Sequence, residues 1–233
     1  MLDLEDGHGE GSGPWPAFAD LLAATSLIFL VLFAAIAVPA MGKANDAERR
    51  RSTLNRVESL LKERVHDDRV TVQRVGDYLL VRIKEDATFP RSQFELVYLK
   101  PSGKQILRDF GATLVSAGLD TLIDQVQVVG HASSEGSEEK NWMLSSARAA
   151  TVSMFLIDSV HVPPCQISAL GRSHFYPVDT ARARAALRRN DPNGDPADRR
   201  IELEVRPRIP SDLDQRRRRE QCVGPKGAGL TAR

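Results

Sequence analysis

Cysteine is scarce in this chain, and its spacing excludes the usual metal frameworks. Only Cys165 and Cys222 occur among the 233 residues, and no Cys-x-x-Cys pair is present. A structural zinc site needs closely spaced Cys and His ligands, so no metal site is predicted. Two thiols can form one disulfide in an oxidising compartment or remain free in a reducing one. The pair is therefore a candidate disulfide, with two free thiols as the alternative.

Sequence patterns of catalysis are also absent. The chain contains no Ser/His/Asp or Cys/His nucleophile pattern, no phosphate-binding P-loop and no glycine-rich dinucleotide turn. Its formal net charge of +1 gives no overall attraction for nucleic acid. We therefore predict a protein without enzymatic activity, without a cofactor and without direct nucleic-acid binding.

One acidic segment has the spacing of a calcium-binding loop. Asp191 and Asp195 match positions one and five of such a loop, and Glu202 matches position twelve. Position six is Pro196, however, where the loop requires glycine, and Glu202 falls in a predicted strand. A simple turn is favoured over a calcium site.

The chain does contain one long apolar run, residues 17–39, in which Asp20 is the only charged residue. At about 1.5 Å per residue, a helix of this length crosses a hydrocarbon core of about 30 Å. A cleaved signal peptide would need a basic segment before it, but residues 1–16 contain acids and no Lys or Arg. The run therefore predicts a retained transmembrane helix.

The charges around this helix favour one orientation, and the family resemblance described below implies the other. Lys43 and the arginines at 49–51 follow the run, and the positive-inside rule would place them in the cytoplasm. The rule is weak for long translocated domains. The resemblance places residues 1–16 in the cytoplasm and the C-terminal domain outside the membrane, and we adopt that orientation.

Asp20 has two interpretations. It can lie in the headgroup region as an interfacial residue, or it can lie within the membrane and carry protons. A charge in the bilayer is costly unless it faces a partner or water. Ala23, Ala24 and Leu27 share its side of the helix, and small residues permit close packing between helices. This favours a face that is covered by other helices.

Residues 40–69 predict an amphipathic linker helix, because Val57, Leu60, Leu61 and Val65 recur at helical spacing. A second copy of the chain could pair with it, and a solvated linker is the alternative. Beyond the domain that follows, residues 207–233 are rich in Arg, Pro and Gly and include the run 216–219 of four arginines. They predict a flexible basic tail.

Residues 70–206 combine strand and helix patterns. A hairpin is predicted around Gly76-Asp77, where apolar residues alternate with polar ones on both sides. The remaining predicted elements are helices over 100–117 and 141–159 and strands near 126–130, 167–170 and 201–205. This order predicts an α+β fold, with a mixed sheet covered by helices on one face.

Two segments of this region resemble a known family. Residues 130–150 read Gly-His-Ala-Ser-Ser-Glu-Gly-Ser-Glu-Glu-Lys-Asn-Trp-Met-Leu-Ser-Ser-Ala-Arg-Ala-Ala. This resembles the signature of OmpA-like peptidoglycan-binding domains, Gly-His-Thr-Asp-x-x-Gly followed by Asn-x-x-Leu-Ser-x-x-Arg-Ala. Residues 198–202, Asp-Arg-Arg-Ile-Glu, are similar to the family's terminal Asn/Asp-Arg-Arg-Val-Glu. The resemblance covers residues 70–206 and implies a peptidoglycan-binding domain.

The resemblance also implies binding residues. In the family, an Asp receives the ammonium of diaminopimelate and an Arg binds a carboxylate, for which guanidinium is suited as a bidentate donor. Arg148 matches the Arg, Ser133 stands at the Asp position, and Glu135 is the candidate substitute. The full implied set is Arg148, Asn141, Ser145, His131, Ser133 and Glu135. The alternatives are a salt bridge of Arg148 with Glu135 or Glu139, and loop stabilisation by His131 and Asn141.

The membrane segment resembles a second family. Pro16-Ala-Phe-Ala-Asp20-Leu-Leu before the apolar run is similar to the span of MotB-type stator subunits, in which the Asp carries protons. A span, a linker and an OmpA-like domain form the layout of MotB and of ZorB, the corresponding subunit of Zorya anti-phage systems. The short N terminus, compact linker and basic tail favour ZorB.

This second resemblance implies a proton-driven motor or channel in the bacterial inner membrane. A homodimer would pair its helices inside a ring of a MotA-like (ZorA-like) multi-span partner, with the proton as coupling ion and peptidoglycan as the fixed frame. The alternatives are a flagellar MotB-type stator subunit and a passive OmpA-like envelope anchor.

Overall fold

The computed structural model describes residues 15–117, 122–181 and 194–208. The chain divides into two units, Met1–Ala47 and Glu48–Arg233, and each is considered by itself. The predictions for residues 1–14, for Asp191 and for the basic tail beyond residue 208 lie outside the described residues.

Helix α1 (Trp15–Arg64) begins just before the predicted transmembrane segment and continues through most of the predicted linker. Its first part is apolar, and residues 15–36 are exposed in the isolated chain. Within the described part of the chain, α1 is the one helix that by length and composition could cross a membrane. Such an apolar surface needs lipid or other helices around it. The prediction of a long apolar N-terminal helix is thus confirmed.

The last turns of α1 belong to the second unit. Leu54, Val57 and Leu61 are buried in the same hydrophobic core as the strands. The boundary between the units therefore falls between Ala47 and Glu48, earlier than the predicted domain start at residue 70. In this structure, the helical stripe that suggested pairing with a second copy packs onto the domain's own core.

The second unit contains a five-stranded mixed sheet in the order β1-β2-β5-β3-β4. The strands are β1 (Val70–Val75), β2 (Tyr78–Lys84), β3 (Ile123–His131), β4 (Ile167–Gly171) and β5 (Arg200–Pro207). β3 and β4 are parallel, and every other neighbouring pair is antiparallel. Gly76, with φ of 58°, closes the hairpin of β1 and β2 at the predicted turn.

Among the residues that the structure describes, three further helices accompany the sheet: α2 (Glu85–Thr88), α3 (Pro101–Ala117) and α4 (Glu138–Val160). The apolar stripes of α3 and α4 share one core with the strands, which includes Ile106, Phe110, Leu114, Val152, Leu156, Leu79, Val81, Ile83, Val126, Leu203 and Val205. Ser137 caps α4 by accepting a hydrogen bond from the Lys140 amide. The α+β prediction, with a mixed sheet and covering helices, is confirmed.

The side chains on the second face of β5 are buried, although the alternating sequence pattern predicts that they are exposed. Alternation predicts that Glu202 and Glu204 point to water, but they are only 3% and 2% exposed. Arginine side chains lie over both carboxylates and pair with them, Arg82 and Arg200 with Glu202 and Arg172 and Arg206 with Glu204. Long arginine stems cover surface while their charged ends stay paired, so this polar face is buried by ion pairs.

Candidate functional site

The signature segments converge at one edge of the sheet. Strands β2, β3 and β4 end at this edge and β5 begins there, because Lys84 and His131 both pair with Arg200, and Gly130 pairs with Gly171. The segments that extend from these strand ends are therefore neighbours in space. We call residues 85–95, 131–137, 172–181 and 194–199 the edge loops.

Two glycines allow α4 to approach the ends of β3 and β4. A Cβ atom at Gly130 would lie 2.0 Å from the carbonyl oxygen of Ser145, and one at Gly171 would lie 2.1 Å from Oγ of Ser146. Neither separation is sterically possible, so a side chain at either position would push the helix away. Close packing thus explains Gly130 of the signature and also Gly171, and it sets the position of Arg148.

Arg148 is buried at the base of the edge loops, only 2% exposed. Its Nη2 lies 2.6 Å from Oε1 of Glu85, and its guanidinium donates to the carbonyls of Gln93 and Pro90 at 2.9 and 3.0 Å. The same group lies 5.6 Å from the ring centroid of Phe89. Burial lowers the pKa of Arg148, and the charge of Glu85 opposes this effect. Arg148 therefore holds the first edge loop in place through its hydrogen bonds and its salt bridge.

Glu85 is shared between two guanidinium groups. While Oε1 faces Arg148, Oε2 accepts from Nε of Arg199 at 2.5 Å. Arg199 also donates to Oγ of Ser133 at 3.2 Å, and its Nη1 lies 3.6 Å from Oε2 of Glu135. The Glu85 carboxylate thus links α4 to the first and last edge loops. Arg199 extends this network to the second edge loop.

Glu135 is the predicted site residue nearest to solvent. It forms a salt bridge with Arg91 on the first edge loop. Burial opposes ionisation of Glu135, but the hydrogen bond from Arg91 and the charges of Arg199 and Lys140 outweigh it, so its pKa is lowered. Glu135 is therefore an anion held between cations, and its charge is already compensated within the domain.

His131 and Ser133 lie under the second edge loop. His131 is 1% exposed and its Nε2 lies 3.0 Å from Oε2 of Glu202. Burial lowers the pKa of His131, despite the hydrogen bond with Glu202. Ser133 is equally buried and lies against Gly194, where a Cβ atom would come within 2.9 Å of it. Both side chains support the loop from inside.

Asn141 and Ser145 hold the start of α4. The backbone amide of Asn141 donates to the carbonyl of Ser137. The side-chain Nδ2 of Asn141 is buried and has no hydrogen-bond partner among the described residues. Ser145 Oγ accepts from the amide of Ser173 at 3.1 Å, which ties the helix to the third edge loop. Of the six implied binding residues, five are thus buried and only Glu135 approaches the surface.

The accessible part of this edge is a cleft of about 430 Å³. It is lined by Lys84, Glu85, Asp86, Phe89, Pro90, Arg91, Lys100, Pro196, Ala197 and Arg199. Among the lining residues that the structure describes, four cations stand against two carboxylates, and this excess of positive charge suits an anionic ligand. An aromatic ring and two prolines supply its apolar part.

None of these cleft residues was among the six binding residues predicted from the sequence. Arg199 was visible in the Asp-Arg-Arg segment that resembles the family's terminal motif. The position of Glu85 directly after a predicted strand was the other available signal, because residues after strand ends gather at one sheet edge. No local pattern distinguishes Lys84 and Lys100 from other surface lysines.

The remaining predictions fall elsewhere. Cys165, next to β4, is disulfide-bonded in the structure, and Cys222 lies outside the described residues. Asp195 caps a short 3-10 turn by accepting from the amide of Ala197, and Glu202 is held by Arg200. Within residues 15–117, 122–181 and 194–208, no group of three or more His, Cys, Asp or Glu side chains could hold a metal ion.

Comparison with known proteins agrees with this architecture. Residues 88–191 match the sequence model of the OmpA family. Outer membrane protein A of Citrobacter freundii is 36% identical over 129 residues, which are 53% of this chain and 50% of that protein. The chain spans about half the length of the curated relatives it matches. The second unit thus resembles the OmpA family over residues 88–191.

Solved structures share the fold at low identity. A MotB-like protein from Desulfovibrio vulgaris has a TM-score of 0.56 at 15% identity, with 71% of this chain and 95% of the other covered. The cell wall anchor of the T6SS from Pseudomonas aeruginosa has a TM-score of 0.50 at 24% identity, with 66% and 98% covered. At these identities the likeness establishes the fold alone.

Proposed function

We propose that this protein is the peptidoglycan-anchored subunit of a proton-driven complex in a bacterial inner membrane, acting in anti-phage defence. One observation carries the proposal: an apolar helix with a single acid near its start, Asp20, precedes an OmpA-like domain with a basic cleft. In this proposal, residues 1–16 are cytoplasmic and the domain is periplasmic.

The anchoring part rests on the domain. Peptidoglycan stem peptides carry carboxylates, which ammonium and guanidinium groups bind through charge-assisted hydrogen bonds. The excess of cations in the cleft provides such groups. The Pseudomonas neighbour is named as a cell wall anchor, and we extend that role to this chain. In this account the cleft lining contacts the ligand, while Arg148 positions the first edge loop through Glu85.

Cosedimentation of the full chain, in detergent, with purified sacculi tests the anchoring part. Lys100→Glu reverses a charge in the cleft lining and should lower binding at least about tenfold, since hydrogen bonds to charged groups contribute about 1.5–3 kcal/mol. Lys104→Glu is the matched control, because Lys104 lies one turn further along α3 and outside the cleft lining. Equal binding by both variants and the wild type would contradict this role.

The motor part rests on the helix. An acid in an apolar span normally faces a partner or water, and small residues on the Asp20 side permit close helix packing. In the proposed assembly, two copies pair their helices inside a ring of a MotA-like partner. Each Asp20 takes a proton from the periplasmic side and releases it to the cytoplasm, while the anchored domains provide a fixed frame for rotation of the ring.

Purification of the tagged protein from its native host in mild detergent tests the motor part. We expect a multi-span membrane protein to co-purify in stoichiometric amount. Recovery with peptidoglycan alone would instead indicate a passive envelope anchor. The biological setting is tested by phage plating and by swimming assays after deletion of the gene: lost phage resistance supports defence, and lost motility supports a flagellar stator.

A further inference from the structure

An aromatic patch lies beside the edge loops. It consists of Trp142 on α4 and His174, Phe175 and Tyr176 on the third edge loop. Trp142, Phe175 and Tyr176 are 45%, 50% and 56% exposed. The ring centroids of Trp142 and Phe175 lie 6.1 Å apart, and those of His174 and Phe175 are stacked at 4.4 Å. Large side chains held half in water give up burial that would otherwise stabilise the fold, and their exposed faces are available to a ligand.

The backbone that presents these rings is strained. Ser173 has φ of 48°, a left-handed conformation that residues other than glycine rarely adopt. It is fully buried, and its amide donates to Ser145 Oγ at 3.1 Å while its carbonyl accepts from the Ala132 amide at 2.8 Å. Such strain persists only where the surroundings enforce it, and it is frequent at ligand-binding sites.

Hydrogen bonds tie the loop that carries the patch to neighbouring elements at the same sheet edge. Ser173 bonds to Ala132 in the second edge loop, and Arg200 donates to the Tyr176 carbonyl at 2.9 Å. The cleft lies at the end of β2 and the patch at the end of β4. Three strand spacings separate β2 from β4 in the sheet order, which corresponds to about 14 Å. A ligand with two chemically different parts could therefore occupy both.

We propose that the aromatic patch binds the sugar rings of the peptidoglycan glycan strand. This inference rests on the proposed anchoring function and adds a second subsite to it. The C–H faces of pyranose rings stack on aromatic planes, and the polar ring atoms of Trp142, His174 and Tyr176 can hydrogen-bond to sugar hydroxyls. A stable protein interface needs about 800 Å² per partner, far more than four partly exposed side chains offer.

The test uses the full chain in detergent and three probes: intact sacculi, glycan strands freed of peptide by amidase digestion, and soluble stem peptide. Trp142→Ala and Phe175→Ala should each weaken retention on peptide-free strands at least about tenfold, equivalent to about 1.4 kcal/mol, and leave stem-peptide binding unchanged. Trp142→Phe should retain most of the binding. Met154→Ala is the matched control, because Met154 is similarly exposed on α4 but outside the patch.

Tryptophan fluorescence gives a second readout. The chain contains only two tryptophans, so the Trp15→Phe variant reports on Trp142 alone. Peptide-free glycan strands should change its emission, and soluble stem peptide should not.

The outcomes separate this inference from the function on which it rests. Binding to sacculi and stem peptide without binding to peptide-free strands would overturn the glycan subsite and leave the anchoring role standing. So would unchanged retention of both alanine variants. Failure to bind intact sacculi would refute the anchoring role itself. If the alanine variants lost a co-purifying protein and kept glycan binding, the patch would be a protein interface and the inference would be wrong.

Discussion

Glu85 and Arg148 form a buried salt bridge with 2.6 Å between Oε1 and Nη2. Arg148 comes from the segment that resembles the OmpA-like signature, and Glu85 directly follows β2. Solvent screens this pair little, because Arg148 is almost fully buried. The arginine that the resemblance assigns to a ligand carboxylate is thus paired with a carboxylate of its own chain.

Loss of Arg148 should destabilise the domain. Arg148→Ala leaves Glu85 without one cation and removes the donor to the carbonyls of Pro90 and Gln93. Breaking a buried ion pair from one side costs about 3–5 kcal/mol, which urea unfolding of the full chain in detergent can measure by near-ultraviolet circular dichroism. Arg108→Ala is the control, since its exposed guanidinium lies 5.7 Å from the centroid of the Phe155 ring, a contact that contributes about 0.5–1 kcal/mol. Similar losses of unfolding free energy in both variants would show that Arg148 does not hold the loop in place.

Close packing at Gly130 should make that position intolerant of any side chain. Gly130→Ala places a Cβ against the Ser145 carbonyl and should cost at least about 1–3 kcal/mol through overpacking. Gly42→Ala, in α1, meets nothing within 4 Å and should be neutral or stabilising by up to about 1 kcal/mol. The unfolding free energies of the two variants, each compared with that of the wild type, test this expectation. Equal effects of the two substitutions would contradict close packing at Gly130.

Acid should weaken the domain partly through His131. Burial lowers the pKa of His131 below its ordinary value of 6.5, and Arg200 and Arg172 add to the effect against Glu202. The unfolded chain therefore binds a proton that the folded chain excludes. The contribution of neutral His131 to the free energy of unfolding is complete above pH 6.5 and falls as pH decreases. The slope is at most about 1.4 kcal/mol per pH unit.

Unfolding free energies between pH 7 and pH 5 test this dependence. His131→Gln should remove the part due to this residue and keep a hydrogen-bond donor for Glu202. The pKa of Glu202 is also lowered, since His131 and Arg200 outweigh its burial. The contribution of Glu202 to the free energy of unfolding is therefore lost only below its ordinary pKa of 4.5. An unchanged pH profile in the variant would show that His131 does not titrate in this range.

The proton role of Asp20 predicts a separation of assembly from activity. Asp20→Asn keeps a polar side chain of the same size but cannot release a proton, so co-purification with the multi-span partner should persist while phage protection is lost. Asp20→Glu should retain part of the protection. Full protection with asparagine at position 20 would remove the proton role.

The disulfide state reports the compartment of the domain. Disulfides persist in the periplasm and are rare in the cytoplasm. In cells lysed in denaturant with a maleimide reagent, Cys165 and Cys222 should become labelled only after reduction, as seen by a gel shift. Labelling without reduction would place the domain in the cytoplasm, the orientation that the positive-inside rule favours.

Local patterns in the sequence predicted most of the elements. The turn at Gly76, the stripes of the long helices and the short strands are all set by neighbours along the chain, so periodicity finds them. The burial of Glu202 and Glu204 was not predictable in this way. It depends in part on Arg82 of β2 and Arg172 of the third edge loop, which are distant in sequence, and alternation alone cannot report what covers a strand.

The candidate site was predictable in position but not in detail. The signature residues around 130–150 lie at the same sheet edge as the cleft. It could not show that Arg148 meets Glu85, because that contact joins residues distant in sequence. Nor could it show that Asn141 and Ser145 lie under the loops. A motif residue that binds ligand and one that supports a binding loop look the same in a sequence.

The sheet order also determines when the domain can fold. Strand β5 lies between β2 and β3, yet it is the last strand to be synthesised. Until it emerges, the β1–β2 hairpin and the β3–β4 pair share no backbone ladder, and the long-range pairing that joins them is slow because a large loop must close first. A chain interrupted before Arg200 is left as two half-sheets with open edges, which are prone to aggregate. The domain should therefore fold only after nearly all of it has left the ribosome, so the proposed transport across the membrane would act on a chain that is still unfolded.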